Sequence, residues 1–255
     1  MRGVTNAIQD TGDEFVGEGG TFHFPQIAAI AATAWGAGGT ITYTANTEAQ
    51  VTVVPTIVYT AVELYDDVLN TTIGDMPKKY GPALAEGVFQ DIEETILAQH
   101  ASTITTVGSS TAGYNFLEAD YWGGLEQLHA NAKNYAISGQ SITAIYHPLQ
   151  FGAWGQITNF VSAAVRGDRG DGPAKTGVFE SAGGAKVMFT SNVRTLTAAI
   201  SNIIVCKPWL ILGRAAKAKI EMERTELRLK VICSAQYGVK VQSSLLGVRH
   251  LVQSV

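Results

Sequence analysis

The sequence predicts an α+β fold, and three observations lead there. The first 75 residues are patterned like strands, one long amphipathic helix follows them, and the last third returns to strands. A chain of 255 residues suits one large domain or two small ones and can bury a sizeable core.

Residues 21–25 and 40–44 alternate β-branched and aromatic side chains, with Phe22 and Phe24 in the first and Ile41 and Tyr43 in the second. An Ala-rich run closed by Gly36, Gly38 and Gly39 lies between them, so the pair reads as a long hairpin arm. Val51, Val53, Ile57 and Tyr59 carry the period of two through Thr60, broken by Pro55 as an edge strand is.

At Asp75 the pattern changes. Asp75 can cap a helix, and Pro77 stands near its first turn, where a missing N–H costs nothing. Leu84, Val88, Ile92 and Ile96 recur every four residues, Ala85, Phe89 and Leu97 widen the stripe, and Glu86, Glu93 and Glu94 mark the other side. The spacing predicts a helix over 77–100. Gly81, Pro82 and Gly87 weaken its first turns and argue for a later start.

A second helix is predicted over 120–135, with Tyr121, Leu125, Leu128 and Ala132 at helical spacing. Residues 142–147 read as a strand, and Pro148 opens a third helix carrying Leu149, Trp154, Ile157 and Val161. Residues 166–173 are a loop by composition. Strands are expected beyond it at 186–191, 203–206, 220–224, 227–235 and 238–242.

Composition narrows the function classes. Charged residues make up 16% of the chain, against roughly 25% in typical soluble proteins. Together with a mean hydropathy of +0.11, this implies that other subunits cover much of the outside. The apolar content excludes disorder, and a net charge of −4 excludes a basic nucleic-acid binder. Charge is unevenly spread: residues 1–165 hold 4 basic and 16 acidic side chains, and residues 166–255 hold 14 basic and 6 acidic. The two halves either meet, within or between copies, or form separate solvated faces.

No apolar run approaches the ~20 residues that a bilayer needs, and the first residues lack the apolar core of a signal peptide. Cys206 and Cys233 lie in apolar runs and read as reduced core thiols of a cytoplasmic product.

A search for chemistry finds none. Gly167 and Gly172 have phosphate-loop spacing, but Pro173 and Ala174 separate them from Lys175, and Pro173 removes a donor amide. Gly17, Gly19 and Gly20 do not complete a dinucleotide fingerprint. His23, His100, His129, His147 and His250 are scattered without metal-ligand spacing. No serine elbow is present, and Glu93 and Glu94 point about 100° apart on a helix. His147, before Pro148, ends a strand rather than serving as a base. The Arg-Gly-Asp triplets at 166–168 and 169–171 are the residues any exposed loop uses, and an adhesin reading gains nothing else.

The order of elements carries more than any motif: an arm and hairpin, strands, then the acidic-faced helix around Glu86–Glu94. A strand follows that ends Ile145-Tyr146-His147-Pro148, then the stretch Gly184-Ala185-Lys186-Val187-Met188-Phe189-Thr190-Ser191, then a strand with Tyr237-Gly238-Val239-Lys240-Val241. Over nearly the whole chain this resembles the major capsid protein of tailed bacteriophages.

The resemblance implies the tailed-phage capsid (Johnson) fold: an N-terminal arm at 1–14 and an extended loop at 15–50. It further implies a peripheral domain with the spine helix at 51–145, rejoined by 220–255, and an axial domain at 146–219. It implies a structural virion protein, not an enzyme, with no cofactor or metal and no membrane. Such a protein assembles in the bacterial host cytoplasm into pentamers and hexamers of an icosahedral head around double-stranded DNA. The implied partners are other copies, a portal, a decoration protein, and a separate scaffolding protein unless the shell is small enough to need none. Phe22, Phe24, Ile41, Tyr43, Arg166 and Arg169 are the expected inter-subunit contacts. Residues 1–77 hold no lysine, so the isopeptide weld of some family members has no amine on the loop. An encapsulin-type compartment of the same fold is the alternative.

Overall fold

A computed structural model describes residues 8–10, 20–26, 49–65, 76–111, 114–132, 142–157, 181–196, 199–225 and 228–253. In chain order come β1 (Ile8–Asp10), β2 (Phe22–Gln26), β3 (Ala49–Val53), β4 (Thr56–Tyr65) and α1 (Met76–Leu97), which runs into a 3₁₀ turn at Ala98–Ser102. Then come β5 (Thr105–Gly108), α2 (Glu118–Ala132), β6 (Ile142–Tyr146), a 3₁₀ turn at Pro148–Gln150 and α3 (Phe151–Gln156). The rest is β7 (Ser181–Ala182), β8 (Ala185–Phe189), β9 (Ala199–Cys206), β10 (Leu210–Thr225), β11 (Arg228–Val241) and β12 (Gly247–Gln253).

These strands form a four-stranded sheet in the order β1-β10-β11-β4, a six-stranded sheet in the order β5-β12-β9-β6-β8-β7, and the β2-β3 pair. In the four-stranded sheet β10 and β11 pair antiparallel from Leu210↔Val241 to Thr225↔Arg228. The sequence splits β11 into two strands and sees only the far end of β10. Pairing on both sides of β11, with β10 and β4, carries it unbroken through Gln236 and Tyr237.

Helix α1 lies across β11 and β4 with Val88, Ile92 and Ile96 buried. It starts at Met76, earlier than its glycines and Pro82 suggest, because packing of the apolar face outweighs weak local propensity. Gly87 has a specific use: a Cβ there would stand 3.0 Å from Thr60 Cγ2. The bare backbone lets the helix settle on β4, where the Thr60 hydroxyl donates to Leu84 O at 2.7 Å. Asp75, the expected cap, lies outside the described residues.

Pro55 breaks the strand as expected, but its effect on side-chain direction differs from the sequence reading. It stands at the corner between β3 and β4. Val51 and Val53 before it point into the protein, whereas Ile57 and Tyr59 after it point out, and Val58, Val62 and Leu64 take the inner face.

In the six-stranded sheet β6 and β9 are buried along their whole length, as strands covered on both faces must be. Helix α2 packs on β12, β5 and β9 through Tyr121, Leu125 and Leu128. Behind β6, Trp154 stacks on Phe116 at 5.2 Å and meets Tyr121 and Tyr146 edge-on at 5.1 Å each. Pro148 opens a 3₁₀ turn capped by His147, whose Nδ1 accepts from Leu149 N, so His147 ends its strand as read. The helical segment stops at Gln156, with Ile157 extended, and Val161 lies outside the described residues.

Residues on both sides of the expected 145/146 boundary share this sheet. β5 comes from before it, β6 crosses it, β7 to β9 come from after it, and β12 comes from the final segment, 220–255. Strand pairing overrides position along the chain here. Among the described residues no helix is long and apolar enough to cross a membrane.

Candidate assembly surfaces

The pairing order leaves β4 at the edge of the four-stranded sheet. β10 and β11 are 16 and 14 residues long, more than α1 can cover. Residues 217–225 of β10 are exposed on both faces, so the sheet continues as a ribbon beyond the core. On the ribbon face turned away from α1, Ile57 and Tyr59 are 69% and 67% exposed, with Tyr65 further along the same row. Ile220 and Met222 are exposed on the opposite face. An apolar row on an unpaired edge strand is the feature that isolated proteins avoid.

Charge frames this row. Arg228 donates to Glu63 Oε1 at 3.2 Å, and its guanidinium lies 5.0 Å from the centre of the Tyr65 ring. Lys219 pairs with Glu221. Along α1, Glu86, Gln90 and Glu94 face outward, Gln90 Nε2 donates to Glu94 at 2.9 Å, and Asn192 holds Glu93 at 3.0 Å. The solvent side of the helix is therefore acidic, as its sequence implies.

The other end of the outer sheet face is already occupied. The β2–β3 pair packs Phe22, Val51 and Val53 on Ile211 and Ala215. Gly213 and Gly238 make room for it: a Cβ on Gly238 would lie 2.6 Å from Val54 O. Phe22 is 6% exposed, packed within its own chain. Phe24 is half-buried against the same cluster. Ile41, Tyr43, Arg166 and Arg169 lie outside the described residues.

The nearest approach to catalytic geometry lies inside the six-stranded sheet. Ser201 Oγ is 3.0 Å from His100 Nδ1 and accepts from Arg249 Nε at 2.8 Å. The sequence shows no such pair, because the two residues stand 101 positions apart and are joined only by folding. Both side chains are buried, which leaves a substrate no approach. Burial, followed by the charges of Arg249 and Arg194, lowers the His100 pKa, so the imidazole is a weak base. Among the described residues no group of three or more His, Cys, Asp or Glu side chains is arranged to hold a metal ion.

No family model and no curated protein matches the sequence. Solved structures do match. That of Mycobacterium phage Che8 superposes with a TM-score of 0.74 at 14% identity, covering 96% of this chain and 89% of that one. The capsid of cyanophage P-SCSP1u gives 0.75 at 12% identity, covering 97% and 86%. The capsid of Ralstonia phage GP4 gives 0.70 at 11% identity, covering 98% and 87%. At such identities sequence contributes little to the likeness, and what is shared is the fold. This chain has the fold of the phage capsid proteins.

Proposed function

We propose that the chain is the shell subunit of a phage head. Copies associate as pentamers and hexamers into an icosahedral particle around double-stranded DNA, and the role is structural rather than enzymatic. The observation that carries this is the ribbon: Ile57, Tyr59 and Tyr65 stand in one exposed row beside a face that already accepts a β-hairpin. Such a surface is prone to associate in water until another chain covers it.

The part names follow. α1 is the spine helix, the four-stranded sheet is the peripheral domain, and the six-stranded sheet is the axial domain. Residues 15–50 are the extended loop, rooted in the β2–β3 pair. Arg166 and Arg169 meet a neighbouring subunit or the packaged DNA. A portal, a scaffolding protein and a decoration protein complete the virion.

Electron microscopy of the purified protein, with a nuclease-protection assay, tests the reading. Closed particles holding nuclease-resistant DNA are expected from infected or lysogenic cells. Particles filled with protein cargo and free of DNA turn the reading to a compartment. A monomer at all concentrations removes it.

A further inference from the structure

The buried polar residues of the described chain are His100, Thr143, Gln150, Ser201, Asn202 and His250. They lie on the strands of the six-stranded sheet or on the turns joined to it. His250 stands on β12 with no exposed surface, and its Nδ1 is 2.8 Å from the Tyr146 hydroxyl on β6. Its Nε2 has no partner among the described residues, and the Phe116 ring lies 5.3 Å away. His100 is held by Ser201 on β9, which in turn accepts from Arg249 on β12. Each histidine thus ties together strands that are remote in sequence, and each is built for a neutral ring.

A proton added to either ring has nowhere to put its charge. On His250 it makes both nitrogens donors, with only the Tyr146 oxygen in reach and no acceptor at Nε2. Among the described groups around it, Phe116, Tyr146, Gly108 on β5 and Asn202 on β9 carry no charge, and Asp120 on α2 opposes the new charge. The Asp120 carboxylate already accepts from the Tyr114 hydroxyl. On His100 the added charge faces the cationic Arg249 and Arg194. A buried uncompensated charge costs several kcal/mol in general, so the easier course is to open the sheet and wet the ring.

We propose that the six-stranded sheet is a proton-operated latch: proton uptake by His250 and His100 opens β12 and β9 while the four-stranded sheet and α1 stay closed. The inference concerns the folded chain and does not depend on the shell reading. Burial lowers the His250 pKa from 6.5 to about 4, with Asp120 opposing the shift, and lowers that of His100 as well. For a base whose folded pKa is depressed, the open state binds protons first as pH falls. The closed sheet therefore keeps its full advantage above about pH 6.5 and loses it between there and about pH 4. At pH 5, before most carboxylates take up protons, His250 alone shifts the opening equilibrium roughly 25-fold from its value at pH 7.5.

Hydrogen exchange with mass spectrometry on the full chain, corrected for intrinsic rates, reads this at pH 7.5 and pH 5. The expected result is a protection loss of roughly 25-fold or more in β9 and β12, with β10 and β11 unchanged. The double variant His100→Asn with His250→Gln is expected to flatten this dependence. Equal loss in both sheets, no loss in either, or an unchanged response in a folded double variant overturns the proposal. Should the double variant fail to fold, the comparison of the two sheets in the wild type still decides.

Discussion

Single residues set the tolerances of this fold, and glycines expose them most plainly. Gly108 ends β5 with φ +76°, and a Cβ there would stand 2.1 Å from Leu251 O, on the strand it pairs with. Gly108→Ala is expected to cost at least about 2 kcal/mol, combining a left-handed backbone with a clash against a strand that cannot yield. Gly123, inside α2, has no atom within 4 Å of its added Cβ, and Gly123→Ala is expected to stabilise by about 0.5–1 kcal/mol. Urea titration of both variants checks the pair, and the opposite signs are the diagnostic. Acid acts at the same scale. With its pKa lowered from 6.5 to about 4, His250 withdraws on the order of 3 kcal/mol of stability as pH falls across that interval. Melting temperatures between pH 7 and pH 4 follow the loss. A flat profile contradicts this account of the buried ring.

At the scale of elements, the ribbon makes the sharpest prediction. Ile57→Asp with Tyr59→Asp puts two charges on a face that is already wet in the isolated chain, so its melting temperature should hold within the small range of surface substitutions. Particle formation should fail. If particles form normally, the row is not a contact. A second cut separates loop from root. Removing residues 27–48 and joining β2 to β3 by a short turn keeps Phe22 on Ile211 and is expected to leave a folded subunit that does not close into shells. Taking residues 17–43 instead also strips Phe22 from its own core, so loss of assembly there mixes two causes.

What the sequence makes legible at this scale follows physical reach. The stripes of α1 and α2 and the continuous apolar run of β6 can be read because helix and strand periods are local. The length of β10 cannot: charged and apolar side chains alternate over 217–223 and mark its far end, but residues 210–213 are a buried apolar run with no period of its own. The outward turn of Ile57 and Tyr59 is hidden as well, because it depends on which sheet the chain enters after Pro55. The Tyr146–His250 and Ser201–His100 contacts join residues over 100 positions apart, and no spacing rule reaches that far.

For the whole molecule, the charge division and the absence of lysine in the first 77 residues give two further expectations. If the acidic first part meets the basic remainder across copies, shells loosen as salt rises, since exposed pairs are screened over about 8–10 Å near physiological ionic strength. Light scattering through a salt titration reads this, and a flat response leaves the charges as solvated faces. Boiling shells in detergent without reductant is expected to give one band near 27.1 kDa. The two free cysteines are buried, which leaves disulfide welding no purchase. A ladder of multimers would reveal a covalent link.

The place of β12 also has a bearing on timing. It lies between β5 and β9, and Val248 pairs with Thr105 across 143 positions of chain. Every other strand of that sheet precedes it in the sequence, so a growing polypeptide holds β5 and β9 with raw edges until residues 247–253 leave the ribosome. Contacts of such span close slowly, on the order of milliseconds to seconds in domains dominated by them. Translation is slower still, at about 5–20 residues per second, so the shape of this sheet waits on synthesis. The six-stranded sheet is incomplete until that strand is translated, and any contact between neighbouring nascent chains that needs the sheet waits for it.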